Sequence, residues 1–168
     1  MTDVATLWSW LDEVPDPEIP VLSVTDLGIV RDVRTRRDDR GEVVEVALTP
    51  TYSGCPATQV IADDVTRALR DHGIERVQID VRLAPAWTTD WISDRGRKRL
   101  NEYGIVPPQG KASPLAPLAF GVTVSEIVRC PQCSSGNTEE TSHFGSTPCK
   151  ALYRCRACGE PFDYFKPH

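Results

Sequence analysis

The chain has 168 residues, a formal charge of −5, 40% hydrophobic and 26% charged residues, and six cysteines. That length suits one ordinary domain, or a small domain with a smaller appendage, and the acidic balance argues against a nucleic-acid binder. No apolar run is long enough to span a bilayer and no signal-peptide pattern opens the chain, so a cytoplasmic protein is expected, in which clustered cysteines serve as metal ligands or reactive thiols rather than disulfides.

Val4, Leu7, Trp8, Leu11 and Val14 recur at helical spacing, with Thr2 or Asp3 available as a cap. Prolines 15, 17 and 20 end that helix, because each removes a donor and restricts the residue before it. Ile29 to Val33 and Val43 to Thr49 are predicted strands, joined through the polar turn RTRRDDRG as a hairpin. Pro56 to His72 is predicted as an amphipathic helix, with Ala57, Ile61, Val65, Ala68 and His72 on one face and Gly73 just past its end. Arg76 to Leu83 alternates as a strand with Val77, Ile79, Val81 and Leu83 facing in. Thr89 or Ser93 can cap a short helix reaching toward Tyr103.

The expected class is α/β (α+β): a small two-layer domain with a three- to four-stranded sheet and packed helices, followed by a C-terminal zinc ribbon. The expected boundaries are 1–103 for the α/β domain, 104–120 for a proline-rich linker and 121–168 for the ribbon. The ribbon is read from Cys130-x-x-Cys133 and Cys155-x-x-Cys158, separated by 21 residues. Two residues between cysteines let both sulfurs reach one tetrahedral ion. A module this small buries too little to fold alone, so a structural Zn²⁺ on Cys130, Cys133, Cys155 and Cys158 would supply its folding free energy. An iron–sulfur cluster can use the same ligand type. TEETSHF, ALYR and FDYF are the ribbon's strand candidates, and Lys150, Arg154 and Arg156 are placed to offset the thiolates. Cys149, six positions before Cys155, reads either as a small core residue or as a replacement ligand, and His143 is a ligand by type in a site already filled.

Cys55 stands apart. With Pro56 at the first helical position, it falls at the cap of the central helix, against free N–H groups and the positive end of the dipole. That is the setting for a depressed thiol pKa, hence for a nucleophile or a soft-metal ligand. A small buried filler explains the same residue, and the residues alone leave both readings open. His72, at the far end of the helix, is more than about 20 Å away at 1.5 Å per residue, so no local base completes a Cys–His pair. Asp16, Glu18 and Asp26 lie in a proline-shaped loop, where turn carboxylates are common and where one could help Cys55 hold a metal. No nucleotide-binding glycine motif and no paired Glu-x-x-His set occurs, so the chain is not expected to perform oxygenation itself.

The stretches DPEIPVLSVTDLGIV, TPTYSGCPA and PAWTTDWIS, in that order, resemble the iron–sulfur carrier and assembly factors of the cytosolic targeting family. FGSTPCKALYRCRACGEPFDYFK resembles the ribbon of one branch, the D subunits of bacterial phenylacetyl-CoA epoxidase systems. The resemblance implies that Cys55 is the family's reactive cysteine and that Asp16 and Glu18 belong to its acidic-proline motif. It also implies an accessory role in phenylacetate catabolism: transient handling of iron or an iron–sulfur cluster at Cys55, for the epoxidase's oxygenase or its iron–sulfur reductase subunit. A homodimer is left open. The alternatives are a zinc-ribbon adaptor or regulator without metal transfer, and a thiol oxidoreductase working through Cys55.

Overall fold

A computed structural model describes residues 1–109 and 127–168, so most of the expected linker lies outside the described residues. Two compact units are formed, Met1–Trp87 with Trp91–Gly96, and Thr88–Asp90 with Arg97–His168. Among the described residues, two mixed sheets, one of three strands and one of four, carry the architecture together with three α-helices.

In the first unit, α1 (Val4–Leu11) is capped by the Asp3 carboxylate, which accepts the Thr6 N–H at 3.3 Å, and it buries Leu7 and Leu11. The helix stops three residues short of Val14, which is nevertheless buried beyond a turn closed by Val14 N–H on the Leu11 carbonyl. β1 (Val30–Asp38) and β2 (Gly41–Leu48) form an antiparallel hairpin; β3 (Val77–Val81) then pairs parallel to β2, giving the order β1-β2-β3. A parallel return needs a crossover, and α2 (Thr58–Asp71) provides it, burying Ile61, Ala62, Val65 and Leu69. Gly73 ends α2 at φ +89°, its N–H on the Arg70 carbonyl.

Three expectations change here. Most of the segment RTRRDDRG is strand rather than turn: β1 runs to Asp38 and reverses only across Asp39 and Arg40. Its charged residues are tolerated because one face of the sheet is open, where Arg34 meets Asp32 at 2.7 Å and Arg36 meets Glu45. β3 does alternate, but it is an edge strand, and Val81 and Leu83 are 46% and 55% exposed rather than facing in. His72 is exposed too, stacked on Trp10 with ring centroids 4.3 Å apart.

In the second unit, β5 (Thr138–Ser142), β6 (Lys150–Cys155) and β7 (Pro161–Phe165) form an antiparallel meander, as the ribbon strand candidates suggested. β4 (Ile105–Val106), inside the stretch expected to be linker, pairs parallel to β7 and places Val106 in a small core with Val128, Phe162 and Tyr164. Two apolar residues that gain an existing strand edge do not need the periodicity that would have revealed them. α3 (Asp94–Tyr103), whose first turn belongs to the first unit, begins where the Ser93 hydroxyl accepts the Gly96 N–H at 2.9 Å, the second of the two caps considered.

Candidate metal centre and thiol loop

The two Cys-x-x-Cys turns of the second unit are built alike. In each, the first cysteine's N–H donates to the carbonyl five residues on, Cys130 to Ser135 at 2.9 Å and Cys155 to Glu160 at 2.8 Å. In each, the residue four positions on returns an N–H to that cysteine's carbonyl, Ser134 to Cys130 and Gly159 to Cys155, both at 2.9 Å. That residue takes a left-handed backbone, φ +60° at Ser134 and +83° at Gly159. Sequence reading found Gly159 but had no signal for Ser134, since serine does not advertise that conformation.

These turns bring Cys130, Cys133, Cys155 and Cys158 together with ligand atoms all within 4.8 Å of one another. The Cys130–Cys158 and Cys133–Cys155 sulfurs are 3.7 and 3.6 Å apart. A tetrahedral Zn²⁺ with Zn–S bonds near 2.3 Å demands sulfur–sulfur edges of about 3.8 Å. A disulfide would bring a pair to about 2 Å, and a multi-iron cluster would spread the four over separate metal atoms. The donor set therefore fits one four-coordinate ion. Electrostatics agree. The Cys155 thiol is held down to about 7, foremost by the Cys158 N–H and also by the Ala157 N–H, against the effect of burial. The Glu160 N–H lowers Cys158, yet burial and the thiols of Cys133, Cys155 and Cys130 outweigh it and push Cys158 up to about 12. Four thiols this close resist sharing negative charge, and a dication relieves that resistance.

Two of the three basic residues expected beside these thiolates are engaged elsewhere: Lys150 is buried against Asp163 at 3.4 Å, and Arg156 pairs with Glu139. Cys149 is buried, its sulfur 3.0 Å from the Thr147 hydroxyl, and His143 is exposed beside Glu140 at 3.3 Å. Neither belongs to the four-sulfur group.

In the first unit, Cys55 sits half-buried in the loop that leaves β2 for α2. Thr49, at the loop's start, donates its N–H to the Ile29 carbonyl at 2.8 Å. The Cys55 N–H donates to the Tyr52 carbonyl at 3.1 Å, and the Cys55 carbonyl accepts the Thr58 N–H and hydroxyl at 3.2 and 2.8 Å. The helix cap is Ala57, so Cys55 lies two residues outside it, because Pro56 and Ala57 spend their turn before the helix begins. α2 consequently starts without a side-chain cap.

Asp16 is buried and turns its carboxylate onto its own loop, accepting the Glu18 and Ile19 N–H groups at 2.9 and 2.7 Å. Among the described residues, Cys55, Asp16 and Glu18 are not gathered into a group of three metal-type side chains; the ribbon four are the group that is. Asp26 has the role of a buried anchor. Ser23 and Asp26 cap each other, with the Asp26 N–H on the serine hydroxyl at 3.0 Å. The Asp26 carboxylate accepts from Ser93 Oγ and Arg95 Nε, both at 2.8 Å, while Arg95 also grips Asp12. Burial would raise Asp26, but the hydrogen bonds from Arg95, Ser93 and Ser23 hold it below the usual carboxylate value. Asp12 and Arg95 were missed from the sequence, where 83 residues separate them.

The fold and site define a class: an α/β unit with a single thiol loop between strand and helix, in a chain that also carries a four-cysteine ribbon. Residues 5–86 match the model of the iron–sulfur cluster assembly protein family, and residues 116–166 match that of the PaaD zinc beta ribbon domain. The chain is 49% identical, over 97% of its own length and 92% of the relative's, to an Escherichia coli protein provisionally named as the D subunit of 1,2-phenylacetyl-CoA epoxidase. It belongs to the family of those D subunits. An Fe-S protein maturation auxiliary factor of Porphyromonas gingivalis is 36% identical over 54% of this chain and 83% of its own. Among solved structures, a domain of unknown function, DUF59, from Bacillus anthracis aligns with a TM-score of 0.51 at 26% identity, covering 57% of this chain and 89% of that one.

Proposed function

We propose that the protein is an accessory subunit of a phenylacetyl-CoA epoxidase system that passes iron or an iron–sulfur cluster, as cargo, to a partner subunit through Cys55. The observation that carries this reading is the division among the six cysteines. Four form a closed set suited to a resident structural zinc, whose filled coordination shell leaves no position for chemistry. Cys149 is buried at 3% exposure. Cys55 remains as the half-buried thiol of the assembly-type unit, in a loop beside a helix N-terminus that no side chain caps. The ribbon docks on the client, the epoxidase's oxygenase or its iron–sulfur reductase, and the exchange takes place in the cytoplasm.

One observation favours a second reading, an adaptor without metal transfer: the Asp16 carboxylate is engaged with backbone N–H groups of its own loop. Replacing Cys55 with alanine separates the two. Metal transfer predicts an unchanged fold with about one zinc per chain, and loss of iron and activity from the co-expressed epoxidase. A fully metallated, active epoxidase made beside Cys55→Ala would leave the adaptor.

A further inference from the structure

The three-stranded sheet has two edges, and they differ. β1 carries four arginines and two aspartates in its nine residues, a charged edge that discourages further pairing. β3, with the sequence Val-Gln-Ile-Asp-Val, has few such guards. The Val44 N–H donates to the Arg76 carbonyl and the Arg82 N–H to the Leu48 carbonyl, so even-numbered residues turn their backbone groups to β2. By strand alternation, Val77, Ile79 and Val81 turn theirs away from β2. Among the described residues no strand receives them.

We propose that β3 pairs antiparallel with β3 of a second copy of this chain, about a two-fold axis at Val81, to form a continuous six-stranded sheet. Charge and register select that arrangement. Centred on Val81, the outward-facing residues meet as Val81 with Val81 and Ile79 with Leu83, which buries the exposed apolar side chains. On the other face, Asp80 of each copy meets Arg82 of the other, an attraction made twice by symmetry. Asp80 and Arg82 are 52% and 44% exposed, and within one chain they pair with each other at 2.7 Å, so they are free to exchange partners. Neighbouring registers fail. Centred on Asp80 or on Arg82, a charge faces its own copy; centred on Ile79, Arg76 faces Arg82. A contact of this length is concentration-dependent rather than permanent. It depends on unit-one geometry alone and stands or falls separately from the role of Cys55.

Sedimentation equilibrium on the full chain from about 10 µM to about 1 mM tests it. The wild-type chain is expected to show a monomer–dimer equilibrium. Asp80→Arg and Arg82→Asp, each placing like charges opposite one another twice, are each expected to weaken dimerisation by about tenfold. An equimolar mixture of the two variants, and the double variant D80R/R82D, restore complementary pairs and recover the wild-type constant. Both sites are exposed, and tryptophan fluorescence confirms that each variant folds. A wild-type chain that stays monomeric throughout overturns the proposal. So does a dimer insensitive to the single charge reversals, or one that the mixture fails to recover.

Discussion

Gly28 offers a quantitative test of how the first unit holds together. Its φ of +67° already disfavours any side chain, at a cost of about 1 kcal/mol. A Cβ there would also stand 2.5 Å from the Trp91 carbonyl oxygen and 2.7 Å from the Trp91 Cβ, neither of which can swing aside as a flexible tip can. Relieving that overlap means moving Trp91, whose ring lies 3.6 Å beneath the Arg31 guanidinium, and with it the Ser93 N–H that bonds the Asp26 carbonyl at 2.8 Å. Overpacking of this kind costs about 1–3 kcal/mol and a displaced cation–π contact about 0.5–1 kcal/mol. Gly28→Ala should therefore destabilise the unit by about 3 kcal/mol, a large share of an ordinary domain's stability.

Gly73 is the control. It shares the left-handed conformation at φ +89°, yet a Cβ there meets nothing within 4 Å, so Gly73→Ala should cost about 1 kcal/mol. Urea unfolding followed by tryptophan fluorescence is the assay, since Trp8, Trp10, Trp87 and Trp91 all belong to this unit. With an m-value of about 1 kcal/mol/M, the midpoint should fall by about 3 M for Gly28→Ala and about 1 M for Gly73→Ala. Equal midpoints for the two variants would refute the packing argument, leaving only backbone conformation.

Two further outcomes follow from particular residues. Ser134→Gly should stabilise the zinc-loaded ribbon by up to about 1 kcal/mol, because a left-handed serine is replaced by the residue that occupies the matching place as Gly159; a thermal melt of the holoprotein reads it. The Asp12 carboxyl is held at about 2, below its ordinary 3.8, chiefly by the hydrogen bond from Arg95. A depressed folded-state pKa contributes stability that is present above the ordinary value and lost as pH falls through the folded one. Urea midpoints should thus decline between about pH 4 and pH 2, and Asp12→Asn should flatten that decline; an unchanged slope in the variant would contradict the ion pair.

What the sequence revealed tracks how local each feature is. The ribbon was legible because each half of its site is a six-residue turn with cysteines at fixed offsets, and α2 because one face repeats Ile61, Val65 and Leu69. β1 was cut short by the same logic, since hydrophobic alternation fails on a strand whose open face is lined with Arg34, Arg36 and their acidic partners. Leu83 and Val81 misled in the other direction, because alternation identifies a strand but not whether anything lies over its apolar side. The cap at Cys55 shifted by two residues for a local reason, the extra turn of Pro56 and Ala57 before the helix.

The quoted stretches carried a resemblance whose physical cause only the fold supplies. The Trp87 indole N–H donates to the Leu27 carbonyl at 2.8 Å, Trp91 packs on Gly28, and Ser93 and Arg95 hold Asp26, so PAWTTDWIS and DLGIV are two sides of one contact made across 60 to 69 residues. The Thr49 N–H on Ile29 ties the start of the Cys55 loop to the same place. Most of the polar residues in these stretches are therefore occupied in fixing loops. Under the proposed transfer role, a variant that loosens these ties can lower delivery by displacing the Cys55 loop without touching metal. Cys55 differs because it is tied into its loop through its backbone N–H and carbonyl. Loss of transfer with unchanged urea stability is therefore a signature that Cys55→Ala should give and Asp26→Ala should not.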